Sequence, residues 1–418
     1  MPSVLLRDLR CGGSAYNSSM HKFVACVALL AAGCASVPPP GTELAVVQRV
    51  EHLDTVAREP MLAEHPDGAL FVSGYWEPKP TLWKSQDRGA TWKRVDAGPD
   101  AAGNSDVDLA VAADGTLYFM TMTYDREKNE GQQVAIGVSR DAGTSWHWTT
   151  LSKTRFDDRP WVEVAPDGTA HAIWNDGSGV SHTISRDRGA SWTPPVRIHD
   201  RGGSSHLAIG PAGQLAVRLT PLSASGNKYD EGLDRIAVSS DGGASWQKHP
   251  APGERDWSPD FESEATPRWV EPLAWDAAGR LYSLWTDKKG VRLAASDDRG
   301  ATWTTRTIAD TAAPAFFPYL VARGRGELAA TWFTSTKNDM KDLQWYAARI
   351  DDRHVLVSAA QQLESRRPRG PDGVPANDPG GEYLPIAFLR DGTLGVVTPL
   401  QNVPGKRAGF TWWRFEAR

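Results

Sequence analysis

An octapeptide of the form Ser-x-Asp-x-Gly-x-(Ser/Thr)-Trp occurs five times in the chain, as SQDRGATW, SRDAGTSW, SRDRGASW, SSDGGASW and SDDRGATW. With average residue usage, one match to five fixed positions arises roughly once in a million starting points, so five copies establish an internal repeat. Each copy reads as a tight turn between two strands. Its Asp (Asp87, Asp141, Asp187, Asp241, Asp298) can cap turn N–H groups through the carboxylate. Its Gly suits a position of positive φ, and its Trp (Trp92, Trp146, Trp192, Trp246, Trp303) offers a large apolar face to a neighbouring sheet.

A second signal runs beside the first. An apolar stretch, a Gly-containing turn and another apolar stretch recur at Gly68, Gly115, Gly168, Gly213, Gly279, Gly326 and Gly392, as in VEVAPDGTAHAIW and LAWDAAGRLYSLW. Each is consistent with the two inner strands of a sheet, with the octapeptide as the outer hairpin. Units one to five carry the octapeptide, unit six has only RIDDRH, and unit seven ends in FTWWRFEAR. The pattern predicts an all-β fold, a single β-propeller of four-stranded antiparallel blades. Seven blades are expected, with six as the alternative should units six and seven share one. ELAVVQRVEHL near residue 44 would supply the fourth strand of the last blade and close the ring. Residues 250–268 and 362–381 are rich in Pro and Gly and read as long loops.

The N-terminus has a different character. Lys22 precedes the apolar run FVACVALLAAG and then Cys34, which fits a signal-peptide core too short to span a membrane. LLAAGC resembles the bacterial lipoprotein signal, with Cys34 the lipidated residue; an ordinary cleaved signal peptide is the plainer reading. The expected organisation is a leader over 1–33, a Ser/Pro-rich tether over 34–43 and a propeller over 44–418, with residues 1–19 preceding the true start. All three cysteines fall in the first 34 residues, so the propeller has no thiol for a disulfide or a metal. The chain carries −5 and its leader +2, leaving −7 for the rest, which argues against nucleic acid as a partner.

In a propeller the residues just before each inner strand converge on the axial cleft. Those positions hold Arg58 and Glu59, Asp106 and Asp108, Asp158 and Arg159, His206, Arg268 and Glu271, Tyr319, and Glu382 and Tyr383. Loops on the same face add Trp76, Glu77, Tyr124, Trp174, Trp285 and Trp332. Guanidinium groups can grip a sugar carboxylate in bidentate fashion, and aromatic faces can stack on pyranose rings. The octapeptides resemble the Asp-box (BNR) repeats of the sialidase superfamily. That resemblance implies a cleft on the far side from the Asp boxes, an arginine triad, a Tyr nucleophile activated by a Glu, and an Asp acid. Arg58 and Pro60 match the family's first-arginine motif, with Glu59 and Ala57 replacing Ile and Phe. Arg159, Arg268 and Arg323 are the further candidate arginines, Tyr383 or Tyr319 the candidate nucleophile and Glu271 its base. Asp158 and Trp76 join the candidate substrate-binding residues. No Asp lies between the first inner turn and the first octapeptide; Glu77 is the carboxylate there.

A structural reading stands beside this one. Glu59-Pro60, Arg159-Pro160 and Glu271-Pro272 recur at equivalent places, as blade-to-blade ion pairs would, and Trp174, Trp285 and Trp332 fit inter-blade packing. The combined expectation is a monomeric, lipid-anchored protein of the bacterial cell envelope that acts on or recognises carbohydrate, touching the membrane only through its lipid. An exo-acting glycoside hydrolase of sialidase type is one form of it, and a non-catalytic binding propeller is the other. No cofactor and no metal are expected, since the ten His show no ligand spacing.

Overall fold

Seven antiparallel sheets stand in chain order around an axis, and the computed structural model that shows them describes residues 43–201, 203–220, 234–253, 270–287, 289–335, 343–354, 356–358, 361–366, 381–403 and 407–417. The leader, Cys34, Arg268 and the loops at 254–269 and 367–380 lie outside these residues. The described residues contain no helix. The seven innermost strands are Arg58–Glu64, Ser105–Val111, Asp157–Val164, Gly203–Ile209, Leu273–Trp275, Ala315–Arg323 and Ile386–Phe388. Blades are numbered 1 to 7 in that order. The expected count of seven holds, and so does the closure. Leu44–Leu53 pairs antiparallel with Arg407–Ala417 as the outer strand of blade 7, in register from Leu44↔Ala417 to Leu53↔Gly409. In blade 6 the outer position is shared by Leu356–Val357 and Gln361–Arg366, both paired with Leu343–Asp351.

Burial follows distance from the axis. Second strands such as Leu70–Tyr75 (LFVSGY) and Leu215–Thr220 (LAVRLT) are buried along their whole length, because each blade is covered on both faces by its neighbours. Their near-continuous apolar runs are what such strands require. Outer strands such as Lys93–Arg94 and His147–Ser152 are polar and exposed or half-buried.

The octapeptides fold as read. Ser85 Oγ donates to Asp87 Oδ1 and accepts from the Gly89 N–H, both at 2.8 Å. The Thr91 N–H and hydroxyl donate to the two Asp87 oxygens at 2.8 and 2.6 Å, and Trp92 Nε1 donates to the Gly89 carbonyl at 3.1 Å. Equivalent carboxylate bonds recur in the next four copies, and they hold Asp141, Asp187, Asp241 and Asp298 down to about 2. Each turn also docks on the preceding blade. Trp92 lies edge-on to Trp412 of blade 7, Trp192 to Tyr118 of blade 2 and Trp246 to His182 of blade 3.

His182 belongs to a buried pair. Its ring stacks on His171, with Nε2 3.0 Å from His171 Nδ1, and burial pulls the two pKa values down to about 3 and about 4. The unfolded chain binds these protons near pH 6.5 and the folded chain does not, so the pair's stability is present above that pH and is lost as pH falls toward 4. For His182 the loss between pH 7 and pH 5 is about 2 kcal/mol. Urea unfolding of the native protein and of His182→Leu should therefore show the stability difference shifting in favour of the variant by that amount over this range. An unchanged difference would contradict the assignment.

Candidate functional site

The inner strands reach the axial mouth through irregularities that the sequence marks with proline. Register breaks lie between Arg58 and Met61, Asp158 and Trp161, and Phe316 and Tyr319. Inside them Glu59, Arg159 and Phe317 take φ of 46°, 48° and 41°, each directly before a proline. A non-glycine residue held there costs on the order of 1–3 kcal/mol and persists where surrounding contacts impose it. The bulges bring together side chains that a regular ladder would send to alternate faces.

At the mouth Arg58, Glu59, Asp106, Asp158, Arg159 and Glu382 form one cluster drawn from blades 1, 2, 3 and 7. Arg58 Nε donates to the Tyr75 hydroxyl at 2.9 Å, and its Nη2 lies 3.8 Å from Glu59. Arg159 Nη2 donates to Glu382 Oε2 at 2.9 Å, and its Nε lies 3.9 Å from Asp158. The Glu382 N–H donates to Glu59 Oε1 at 3.3 Å. Gly381 makes room for this arrangement: a Cβ there would fall 1.9 Å from Glu59 Cγ. Four carboxyl groups thus face two guanidiniums.

The electrostatics follow from that imbalance. Burial, with the Asp106 carboxylate beside it, pushes Glu59 well above the usual carboxylate range. Glu382 is raised by burial despite its Arg159 partner. Asp158 keeps 47% of its side chain open to the mouth. Desolvation first and the Asp106 charge second raise it to about 7, against the pull of Arg159. The cluster therefore holds protons into the neutral range while both arginines stay charged.

Below the mouth lies an aromatic layer. Trp161 meets Tyr383 at 5.2 Å and His206 at 5.1 Å, and His206 meets Tyr319 at 5.8 Å. Both tyrosines are buried, and desolvation pushes their phenols well above the ordinary value, so they stay protonated. Further along the channel burial raises Glu163 to about 7.

The sequence-derived residues thus divide. Arg58, Arg159 and Asp158 share the mouth, with Tyr383 and Tyr319 beneath it. Glu271 lies elsewhere, fully buried and held by Arg218. Glu77 is half exposed in an ion pair with Arg94 of the outer strand of blade 1. Trp76 is 40% exposed with the Arg126 guanidinium 5.3 Å from its ring centre, whereas Trp174, Trp285 and Trp332 are buried between blades, as the packing reading expects. Arg323 pairs with Glu327 four residues on. Tyr75, Glu59, Asp106 and Glu382 were not chosen as site residues from sequence. Three of them stand on the convergent positions, but only the bulges and the Gly381 turn show that they meet.

No family model matches the chain, and no curated protein matches it. Solved structures do. A fungal alcohol oxidase in complex with copper aligns with TM-score 0.53 and 11% identity over 89% of this chain and 76% of that one. YCF48 from Cyanidioschyzon merolae aligns with TM-score 0.52 and 12% identity over 89% and 99%. The GH74 xyloglucanase from Xanthomonas campestris aligns with TM-score 0.51 and 15% identity over 89% of this chain and 55% of that one. The likeness is one of fold. Three proteins so unlike one another place this chain among β-propellers and leave its function to its own residues.

Proposed function

We propose that the chain is a carbohydrate-active propeller of the bacterial cell envelope, anchored through lipid at Cys34, that binds an anionic sugar at the axial mouth and hydrolyses its glycosidic bond. One observation carries the reading: the mouth combines Arg58 and Arg159 with carboxyls that keep protons near neutral pH, Asp158 at about 7 among them. Protons held on Glu59 and Asp158 relieve the excess of acid around the two guanidiniums, and a sugar carboxylate is then accepted there. Asp158 opens onto the mouth and acts as the general acid toward the leaving oxygen, with Asp106 the second carboxyl of the pair that glycoside hydrolysis uses. Trp76 at the rim offers the stacking face.

The experiment is release of 4-methylumbelliferone from its sialoside and from a panel of other glycosides between pH 5 and pH 9. Turnover on one sugar is expected to fall as pH rises through about 7, where Asp158 loses its proton. Asp158→Asn should cost on the order of 100-fold or more in kcat, and a full rate in that variant would remove Asp158 from the chemistry. A second reading is favoured by the bond from Arg159 to Glu382 and by the burial of Glu271 with Arg218: a propeller that binds glycan without cleaving it. Saturable binding with no turnover across the panel would select it.

A further inference from the structure

At five blade junctions an octapeptide turn fills the wedge against the preceding blade; between blades 5 and 6 it does not. Tyr118 of blade 2 and Tyr282 of blade 5 hold equivalent places, each second in its strand after a buried Leu. Trp192 covers Tyr118 edge-on at 6.4 Å. In blade 6 the corresponding turn reads Asp351-Asp352-Arg353-His354, with no Gly and no Trp. The wedge over Tyr282 is an open pocket of about 620 Å³, lined by Asp276, Arg280, Tyr282, Arg325, Asp352 and Arg353. It lies at the inner-turn end of the blades, away from the axial mouth, because Gly279 and Gly326 close the turns that border it.

The acids of this wall are already engaged. Asp276 accepts the N–H groups of Ala278, Arg280 and Gly326 at 2.9, 2.9 and 2.8 Å. Asp352, with only 8% of its side chain exposed, takes Arg280 Nη1 at 2.9 Å, Arg306 Nη2 at 2.6 Å and the Tyr282 hydroxyl at 3.1 Å. Asp351 takes Arg353 at 3.0 Å and His354 at 2.9 Å, and Asp297 at the rim, mostly exposed, lies 3.3 Å from Arg280 Nε. Arg325 has no ion-pair partner among the described residues. Arg280 is fixed by Asp352 with its guanidinium carbon over Tyr282, 5.8 Å from the ring centre, so its fork is set before any ligand arrives. Three guanidiniums around a cavity larger than a bare ion suit a tetrahedral oxyanion carried on a small polar body.

We propose that this wedge is a binding site for a phosphate group, opened by the loss of the octapeptide from blade 6 and independent of the axial mouth. Arg280 is its fixed donor, Arg325 closes on the anion from the rim, and Arg353, held by both oxygens of Asp351, turns its remaining amino group to it. The test is calorimetric titration of the protein at low ionic strength with inorganic phosphate, with glycerol 3-phosphate and with glycerol. Saturable binding of the phosphates and none of glycerol is expected, weakened about tenfold or more in the variant Arg325→Ala/Arg353→Ala. Both side chains are exposed, so that variant keeps the fold, which its unfolding midpoint checks. Tighter binding of glycerol 3-phosphate than of the free ion assigns the site to a phosphate ester, and equal binding assigns it to the ion itself. Absence of saturable binding by both phosphates, or equal affinity in the native protein and the variant, would overturn the proposal.

Discussion

Arg218→Ala is expected to destabilise the protein by about 3–5 kcal/mol, the usual cost of removing one partner from a buried ion pair. Arg218 sits in the second strand of blade 4 and is 2% exposed. Its Nε donates to Glu271 at 2.7 Å, its Nη1 donates to the Leu219 carbonyl at 2.6 Å, and Asp234 also lies against it. Glu271 and Asp234 are themselves 1% and 3% exposed, so removal of the guanidinium leaves carboxylates in a desolvated interior. They must then take up protons or draw in water. Equilibrium urea unfolding of the native protein and the variant measures the loss; a difference below about 0.5 kcal/mol, the range of ordinary surface substitutions, would mean that the triad does not hold blades 4 and 5 together. The same result bears on function. A glutamate committed to this clamp is an anchor for the strand entering blade 5, which is a different task from activating a tyrosine.

The second large effect concerns the seam where the ring closes. Gly89, in the first octapeptide, has φ +84°, and a Cβ there would fall 2.1 Å from Nε1 of Trp412, a fully buried residue of blade 7. Gly89→Ala adds the strain of a left-handed residue, about 1–2 kcal/mol, to an overpacking cost of about 1–3 kcal/mol, since the added methyl meets a fully buried Trp412. Gly68→Ala is the matched control. Gly68 has φ +86° but nothing within 4 Å of the added methyl, so only the backbone strain remains. The expected result is that Gly89→Ala lowers stability clearly more than Gly68→Ala, and the difference measures how tightly blade 1 docks on blade 7. Equal losses would show that the octapeptide glycine is there for its dihedral angle alone.

These variants also mark what a reader of the sequence could reach. The octapeptide Asp and Gly are local devices, fixed by bonds that span four residues, and the turn glycines repeat once per blade. Blade number and strand order follow from short-range patterns, the inner turn repeated seven times and the octapeptide five, and the closing pair of Leu44–Leu53 with Arg407–Ala417 follows because the last unit is one strand short. The site is built otherwise. Arg159 meets Glu382 across 223 positions, and Arg218 meets Glu271 across 53. Nothing in the composition of either segment says which carboxylate faces which arginine, because that depends on where a bulge turns the strand. Glu59 illustrates the point. Beside the resemblance to the sialidase motif it stands where an Ile is usual, whereas in the fold its positive φ and the space left by Gly381 place it at the centre of the mouth. Proline after Glu59, Arg159 and Phe317 was the available signal, and it told of a recurring backbone device without telling of its charge partners.

The claim that carbohydrate is held at the axial mouth is tested most directly by the indole N–H resonance of Trp76, assigned through Trp76→Phe, during titration with sialic acid and with a panel of neutral and anionic sugars. An anionic sugar is expected to shift this resonance saturably, the Arg58→Ala variant to weaken the effect about tenfold or more, and binding to tighten as pH falls through the range in which the mouth carboxyls gain protons. Saturable sugar binding that leaves the Trp76 resonance unmoved and survives Arg58→Ala, or no binding by any sugar of the panel, would contradict it.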